Sequence, residues 1–203
     1  MKPLLKLSGI IDAINDRVGV VAMWMIFAAV VISAGNAVVR KAFNISSNAF
    51  LEIQWYLFAA VFMLGAGFTF LKNAHVRIDF LSNHLSARVR NWIDIIGIVC
   101  VLGPFCYLLI VLSWPLFMNA WNSGEMSQNA GGLIRWPAYL LIPTGIALLM
   151  LQGVSELIKR FAYLRGLIPD PLAHADHSEE EELLHELEKE AEARQAGLTG
   201  GKQ

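Results

Sequence analysis

The residues of this chain that could do chemistry are concentrated in one segment, FLKNAHVRIDFLSNHLSARVRNWIDIIG, at residues 70–97. His75 and Asp79 lie four residues apart and His84 follows, so imidazole and carboxylate groups could together face a metal ion. A metal site needs three or four ligands with supporting partners, and neither cysteine is near these residues. We therefore expect no metal site here.

Other kinds of chemistry find little support in the rest of the chain. Haem-bearing helices carry histidine in their core, whereas all five histidines lie outside the apolar runs, at positions 75, 84, 174, 177 and 185. No nucleophile triad, phosphate loop or nucleotide fingerprint is present. We expect no enzyme activity, no cofactor and no nucleic-acid partner.

The elements that must position these residues are long apolar runs. Hydrophobic residues make up 56% of the 203 residues, charged residues make up 16%, and the mean hydropathy is +0.50. Four runs lack any charge over roughly the 20 residues that cross about 30 Å of hydrocarbon. These runs predict an all-α membrane protein with four transmembrane helices, at about residues 18–39, 51–71, 92–118 and 136–158.

The orientation of these spans follows from the positions of lysine and arginine. Cationic residues near span ends favour the cytoplasmic side. One side holds ten: Lys2, Lys6, Arg17, Lys72, Arg77, Arg88, Arg90, Lys159, Arg160 and Arg165. The other side holds three, Arg40, Lys41 and Arg135. The prediction is that both termini and the turn at residues 72–91 are cytoplasmic, with residues 40–49 and 119–135 outside.

Two segments flank the four-helix domain, which is predicted at residues 18–165. In residues 1–17 the spacing of Leu7, Ile11, Ile14 and Val18 predicts an amphipathic helix, either lying in the inner interface or extending the first span. Residues 166–203 form an acidic cytoplasmic tail, in which Ser178 and Glu181 have the spacing of a helix capping box. The tail helix is either solvated or a docking element.

The predicted spans lack the groups that an ion-coupled transporter needs near the middle of the membrane. The acidic residues Glu52, Asp94 and Glu156 all lie within a few residues of a predicted boundary. No pair of glycine or proline interruptions suggests discontinuous helices, although Gly103 and Pro104 could kink the third span. The chain alone is therefore not expected to perform coupled transport.

Three sequence segments resemble a known family. They are NAFLEIQWYLFAAVFMLGAGFTF in the second span, HVRIDFL after it, and LSARVRNWID before the third span. Over residues 18–165 the chain resembles the DctQ-like small permease subunit of tripartite ATP-independent periplasmic (TRAP) transporters. Within that family, NAGGLIRWPAYLLIPTGIALLMLQGVSELIKR is similar to the branch associated with mannitol, chloroaromatic compounds and α-keto acid binding proteins.

The resemblance implies a place in a membrane complex of the bacterial inner membrane. The expected partners are a large permease that carries the substrate and sodium sites, a periplasmic substrate-binding protein that delivers an organic acid, and membrane lipid. The small subunit would brace the large one and help dock the binding protein. The alternative is a freestanding four-helix scaffold or assembly factor.

Two sets of residues are the candidate contact sites. At the cytoplasmic turn, the residues expected to anchor the chain to lipid or to the large subunit are His75, Arg77, Asp79, Arg88 and Arg90. At the periplasmic side, the residues expected to dock a partner, or only to mark the membrane boundary, are Arg40, Lys41, Glu52, Glu125 and Arg135.

Overall fold

In the computed structural model of this chain, which describes residues 1–43, 47–73 and 85–171, four long helices account for nearly all of the structure. They are α1 (Lys2–Phe43), α2 (Asn48–Leu71), α3 (Ala87–Ser123) and α4 (Trp136–Leu164). Each is long and apolar enough to cross a membrane. The predicted number of spanning helices is confirmed, and each helix is longer than its predicted span, most of all α1, which begins at Lys2 rather than at residue 18.

The N-terminal segment is part of the first helix. Helix α1 has 42 residues and continues unbroken from Lys2, which is the arrangement expected if residues 1–17 extend the first span. Of the predicted apolar stripe in this segment, only Ile11 is buried, while Leu7 and Ile14 are exposed. The face turned toward the other helices instead carries small and polar residues, namely Ser8, Asn15, Gly19, Ala22 and Ala29.

Small and polar residues on the inward face, with large apolar residues on the outward face, are typical of helices in lipid. Large apolar side chains such as Trp24 and Phe27 point outward, and helix contacts are made by small residues that let backbones approach. A close approach to backbone atoms lies between α2 and α4. A Cβ atom built on Gly145 would lie 2.6 Å from the carbonyl carbon of Met63, so only glycine fits there. Gly67 of α2 leaves room for the side chain of Asn15 of α1.

The packing of the four helices is uneven. Helices α1, α2 and α4 pack against one another, whereas α3 packs mainly on α4. The start of α1 lies beside the end of α4, because Ser8 contacts Ser155. Both described ends of the chain are therefore at one end of the helices, called the terminal end below, and the segment from 124 to 135 is at the other, called the loop end.

Helix α3 is interrupted next to the predicted Gly103–Pro104 position. The turn Ile98–Leu102 is π-helical and leads directly into Gly103. Pro104 has no N–H to donate to the carbonyl four residues back, and its ring would clash with that carbonyl. A wider turn with i to i+5 hydrogen bonds relieves this conflict. The π turn therefore accommodates Pro104 within α3, which contacts α4 both before and after this turn.

Candidate functional site

A buried polar network joins three helices at the terminal end. We call it the terminal network, and its members are Ser8, Asp12 and Asn15 of α1, Asp94 of α3, and Gln152, Ser155, Glu156, Lys159 and Arg160 of α4. Glu156 and Arg160 are each only 1% exposed. Buried charges are costly unless paired, so these contacts decide how the helices fit together.

Arg160 is the centre of the ionic part of the terminal network. Its Nη2 and Nε atoms lie 2.9 and 3.2 Å from Oδ2 of Asp94, and its Nη1 donates to the carboxylate of Glu156. Lys159 pairs with Glu156 and also lies 3.2 Å from Oδ2 of Asp12. Three carboxylates thus share two cations, which leaves one negative charge in excess.

Each hydrogen bond between the amide and hydroxyl groups of the terminal network has a defined donor and acceptor. Gln152 donates from Nε2 to Asp12 at 2.9 Å and to Glu156 at 3.3 Å, so its Oε1 must accept from Asn15, at 2.9 Å. Ser155 donates to Asp12 at 2.6 Å. Because a hydroxyl has one proton, Ser8 must be the donor in its 2.7 Å contact with Ser155. The network therefore sets the register of α1 on α4.

Sequence reasoning placed Asp94 and Glu156 near span boundaries and counted Lys159 and Arg160 as cytoplasmic cations, and it missed the network. A signal was present, because Gln152, Ser155, Glu156 and Lys159 recur at helical spacing in an otherwise apolar helix, and Ser8, Asp12 and Asn15 do the same in α1. A polar stripe of this kind in an apolar helix marks a face that avoids lipid. Their chemistry is structural, since every carboxylate is held in ion pairs or hydrogen bonds.

The predicted cytoplasmic-turn residues fall into two groups. His75, Arg77 and Asp79 lie outside the described residues, as do all five histidines. No cluster able to hold a metal ion occurs among residues 1–43, 47–73 and 85–171. Arg88 and Arg90 lie in the first turn of α3, after the N-cap residue Ser86.

Arg90 has a partner within the chain. Its Nη2 lies 3.3 Å from Oδ2 of Asp170, and Asn91 donates to the other oxygen of Asp170 at 3.0 Å. This carboxylate offsets the unfavourable position of a cation at a helix N-terminus. It also ties the segment after α4 to the start of α3. Arg88 is exposed and makes no ion pair within the described part of the chain.

At the loop end, Glu52 of α2 holds the loop between α3 and α4. Its carboxylate accepts hydrogen bonds from the Ser127 hydroxyl, from Nδ2 of Asn129 at 2.8 Å and from the backbone N–H of Leu133 at 2.6 Å. Within the loop, Met126 and Ile134 form an antiparallel bridge. Glu52 therefore gives the loop a defined shape on top of α2.

A second ion pair closes the loop. Nη1 of Arg135 lies 2.6 Å from Oε1 of Glu125. This hydrogen bond raises the pKa of the Arg135 guanidinium. Beside the pair is an open cleft of about 450 Å³, lined by Glu52, Trp55 and Arg135 among others. Arg40 and Lys41 are exposed in the last turn of α1 and make no ion pair with described residues. The structure thus joins three of the five predicted periplasmic residues and leaves these two apart.

Replacing Glu52 with glutamine should loosen this loop. The variant keeps the shape of the side chain but loses the charge that strengthens three hydrogen bonds, and one amide nitrogen would face donors. We expect amide hydrogen exchange across residues 126–134 to become roughly tenfold faster, as for loss of a charge-assisted hydrogen bond. A Glu125→Gln control should affect only the neighbourhood of Arg135. Unchanged exchange at Leu133 in the Glu52→Gln variant would contradict this role.

Comparison with known proteins identifies the family. The model of the family described as tripartite ATP-independent periplasmic transporters, DctQ component, matches residues 29–162. The C4-dicarboxylate TRAP transporter small permease protein DctQ of Vibrio cholerae serotype O1 (strain ATCC 39315 / El Tor Inaba N16961) is 27% identical over 146 residues. That alignment covers 60% of this chain and 61% of the relative. No solved structure matches the chain.

The family match extends from the middle of α1 to the end of α4 and so includes all four helices. Members of this family are components of transporters, not enzymes. Four helices of spanning length fit a multi-pass protein of the bacterial inner membrane. The chain belongs to the DctQ component family of tripartite ATP-independent periplasmic transporters.

Proposed function

We propose that this small permease subunit is a static brace for the large permease and helps dock a periplasmic binding protein, in sodium-coupled uptake of an organic acid. The observation that carries the proposal is that the polar groups connect elements of this chain to one another. In the described helices, the buried charges tie α1, α3 and α4 to one another at the terminal end, and Glu52 ties α2 to the loop at the other end.

A brace must resist deformation while its partner moves. The mutual packing of α1, α2 and α4, with Gly145 of α4 against the backbone of Met63 in α2, favours such a role. A coupling site would need ionisable or densely polar groups near the middle of the membrane. Glu156 and Arg160, the buried charged residues of the described part, lie instead at the terminal end. Sodium and substrate are therefore assigned to the large subunit.

The proposed substrate class rests on the family and on the relative from Vibrio cholerae, which is named for C4-dicarboxylates. Binding of an organic acid by the neighbouring periplasmic protein, measured by calorimetry with a panel of mono- and dicarboxylates, tests this part of the proposal. Lack of binding to any organic acid would contradict it.

The proposed orientation places the terminal end in the cytoplasm and the loop end in the periplasm, because nine lysines and arginines of the described residues lie toward the terminal end and three toward the loop end. In this orientation exposed Arg88 faces inner-leaflet phosphate or the large subunit. Labelling of single cysteines at Ser123 and at Leu167 with a membrane-impermeant reagent tests it. In intact cells we expect the cysteine at position 123 to react with the reagent and the cysteine at position 167 not to react.

Docking at the periplasmic side is proposed for the exposed cations of α1. Arg40 and Lys41 project from the last turn of that helix and make no ion pair with described residues, so they are available to an acidic partner surface. Charge reversal at both positions should slow uptake and weaken its dependence on salt. Uptake with unchanged rate and salt dependence would assign these residues to the membrane boundary instead.

Recovery of a complex tests the central proposal. A tagged copy of the chain, expressed with the neighbouring permease genes and purified in mild detergent, should retain the large permease. A freestanding four-helix scaffold is the competing function, and it predicts that the tagged chain is recovered alone. Failure to recover a large permease under conditions where both proteins are expressed would contradict the proposal.

A further inference from the structure

A lateral cleft opens between α2 and α3 at the terminal end. Both helices pack on α4, but they make at most marginal contact with each other. The cleft measures about 340 Å³, and its walls are mostly apolar, formed by Phe70 of α2 and by Ile93, Ile98 and Leu102 of α3, with Asn73 as a polar member. At its floor are Asp94 and Arg160. The described helices thus leave an apolar groove with a charged floor.

The charge that reaches the cleft is negative. Arg160 is 1% exposed, whereas the side chain of Asp94 is 30% exposed. Both contacts from Arg160 go to Oδ2 of Asp94, and Oδ1 accepts no hydrogen bond from the described residues. Asp94 also belongs to the terminal network, in which three carboxylates share two cations. The excess negative charge can therefore be matched from the cleft.

We propose that this cleft is a docking groove for an apolar segment of the large permease that carries one lysine or arginine, whose cation pairs with Asp94. The inference rests on the proposed function and names the contact through which the brace is attached. Oδ1 of Asp94 accepts no hydrogen bond from the described residues, and a partly desolvated carboxylate is stabilised by a further cation. The apolar walls suit a membrane-embedded segment, and the negative floor selects one with a cation.

A photo-crosslinking residue in place of Ile93 tests the occupant directly. Irradiation of the complex in membranes should join the small subunit to the large permease, and mass spectrometry should place the crosslink in an apolar peptide that contains a lysine or arginine. An adduct with lipid alone, with a second copy of this chain, or with a peptide lacking a cation would overturn the proposal.

The Asp94→Asn variant provides a second test with two readouts. Asparagine still accepts a hydrogen bond from Arg160, and its neutral side chain removes the excess charge, so the unfolding midpoint of the isolated chain should not fall. Recovery of the large permease should fall by about tenfold or more, as for loss of one partner of a desolvated charge pair. A parallel loss of midpoint and recovery would indicate a purely structural role and overturn the proposal.

The matched control is Asp16→Asn. Asp16 pairs with Lys72 at 2.9 Å, but the side chains of both residues are about half exposed, so neutralising it should leave recovery unchanged. If the wild-type chain recovers no large permease, the proposed function itself fails. If the wild-type chain and Asp94→Asn recover it equally, the brace remains and only the cleft proposal is overturned.

Discussion

Replacing Arg160 with methionine should lower the free energy of unfolding of the isolated chain by about 3–5 kcal/mol, the loss expected when one partner of a buried ion pair is removed. Arg160 is the cation shared by Asp94 and Glu156, and it is almost fully buried. Without it, Lys159 alone would face three carboxylates, and the buried carboxylate of Glu156 would lose its arginine partner. Unfolding by sodium dodecyl sulfate in mixed micelles, followed by tryptophan fluorescence, measures this change.

Two comparisons separate the loss of the ion pair from a general effect of mutation. Arg165→Met changes the exposed arginine in the next turn and should alter stability by no more than about 0.5 kcal/mol. Arg160→Lys keeps the charge but loses the planar fork that reaches both carboxylates, so an intermediate loss is expected.

A compensated variant completes the test of Arg160. Arg160→Met combined with Glu156→Leu and Asp94→Asn removes two carboxylates together with the cation, leaving Lys159 paired with Asp12. This combination should regain most of the lost stability, because replacing a whole buried ion cluster by neutral groups is often close to neutral. Equal stability of Arg160→Met and wild type would show that the terminal network does not hold the helices together.

Replacing Gly145 with alanine should cost about 2–3 kcal/mol, near the upper end for overpacking of a well-packed interior. The added methyl group would collide with the backbone carbonyl of Met63, which cannot move as a side-chain tip would. Helices α2 and α4 would have to separate along their whole contact. The same unfolding assay measures the loss, and weaker recovery of the assembled complex should accompany it.

Gly65→Ala is the matched control for Gly145→Ala. Gly65 lies in α2, in another apolar helix, but a Cβ atom there meets nothing within 4 Å. Alanine in a helix interior is favoured over glycine by roughly 0.5–1 kcal/mol, so this variant should be slightly more stable than wild type. The same substitution is thus expected to act with opposite sign at two positions. Loss of stability at Gly65 equal to that at Gly145 would contradict the close approach seen at Met63.

The candidate contact residues were only partly predictable. Glu52, Glu125 and Arg135 were selected as charges near a membrane boundary, and the structure brings them into one loop assembly. Glu52 binds the loop through a backbone N–H because residues 124–135 fold back over α2. No local sequence pattern encodes this fold. Arg40 and Lys41 shared the same sequence signal, yet they remain outside the assembly.

The terminal network shows the limit of interpreting charges near a span boundary one at a time. Asp12, Asp94 and Arg160 are far apart in the chain, and each alone has the appearance of a residue that marks the end of a span. They form one network because α1 and α3 both meet α4 at the same end. The polar stripe on α4 indicated an inward face, but its partners depend on the packing of three helices.

The sequence by itself determined the class of protein, the number of spans and the family. Span length and apolarity are local properties, because a helix in hydrocarbon must satisfy its own backbone hydrogen bonds over a fixed thickness. The inward faces were decided only by the tertiary structure. Since lipid and helix interiors are similarly apolar, hydrophobicity cannot tell the two faces apart, and close backbone contacts such as Gly145 on Met63 and the pairing of buried charges select the arrangement.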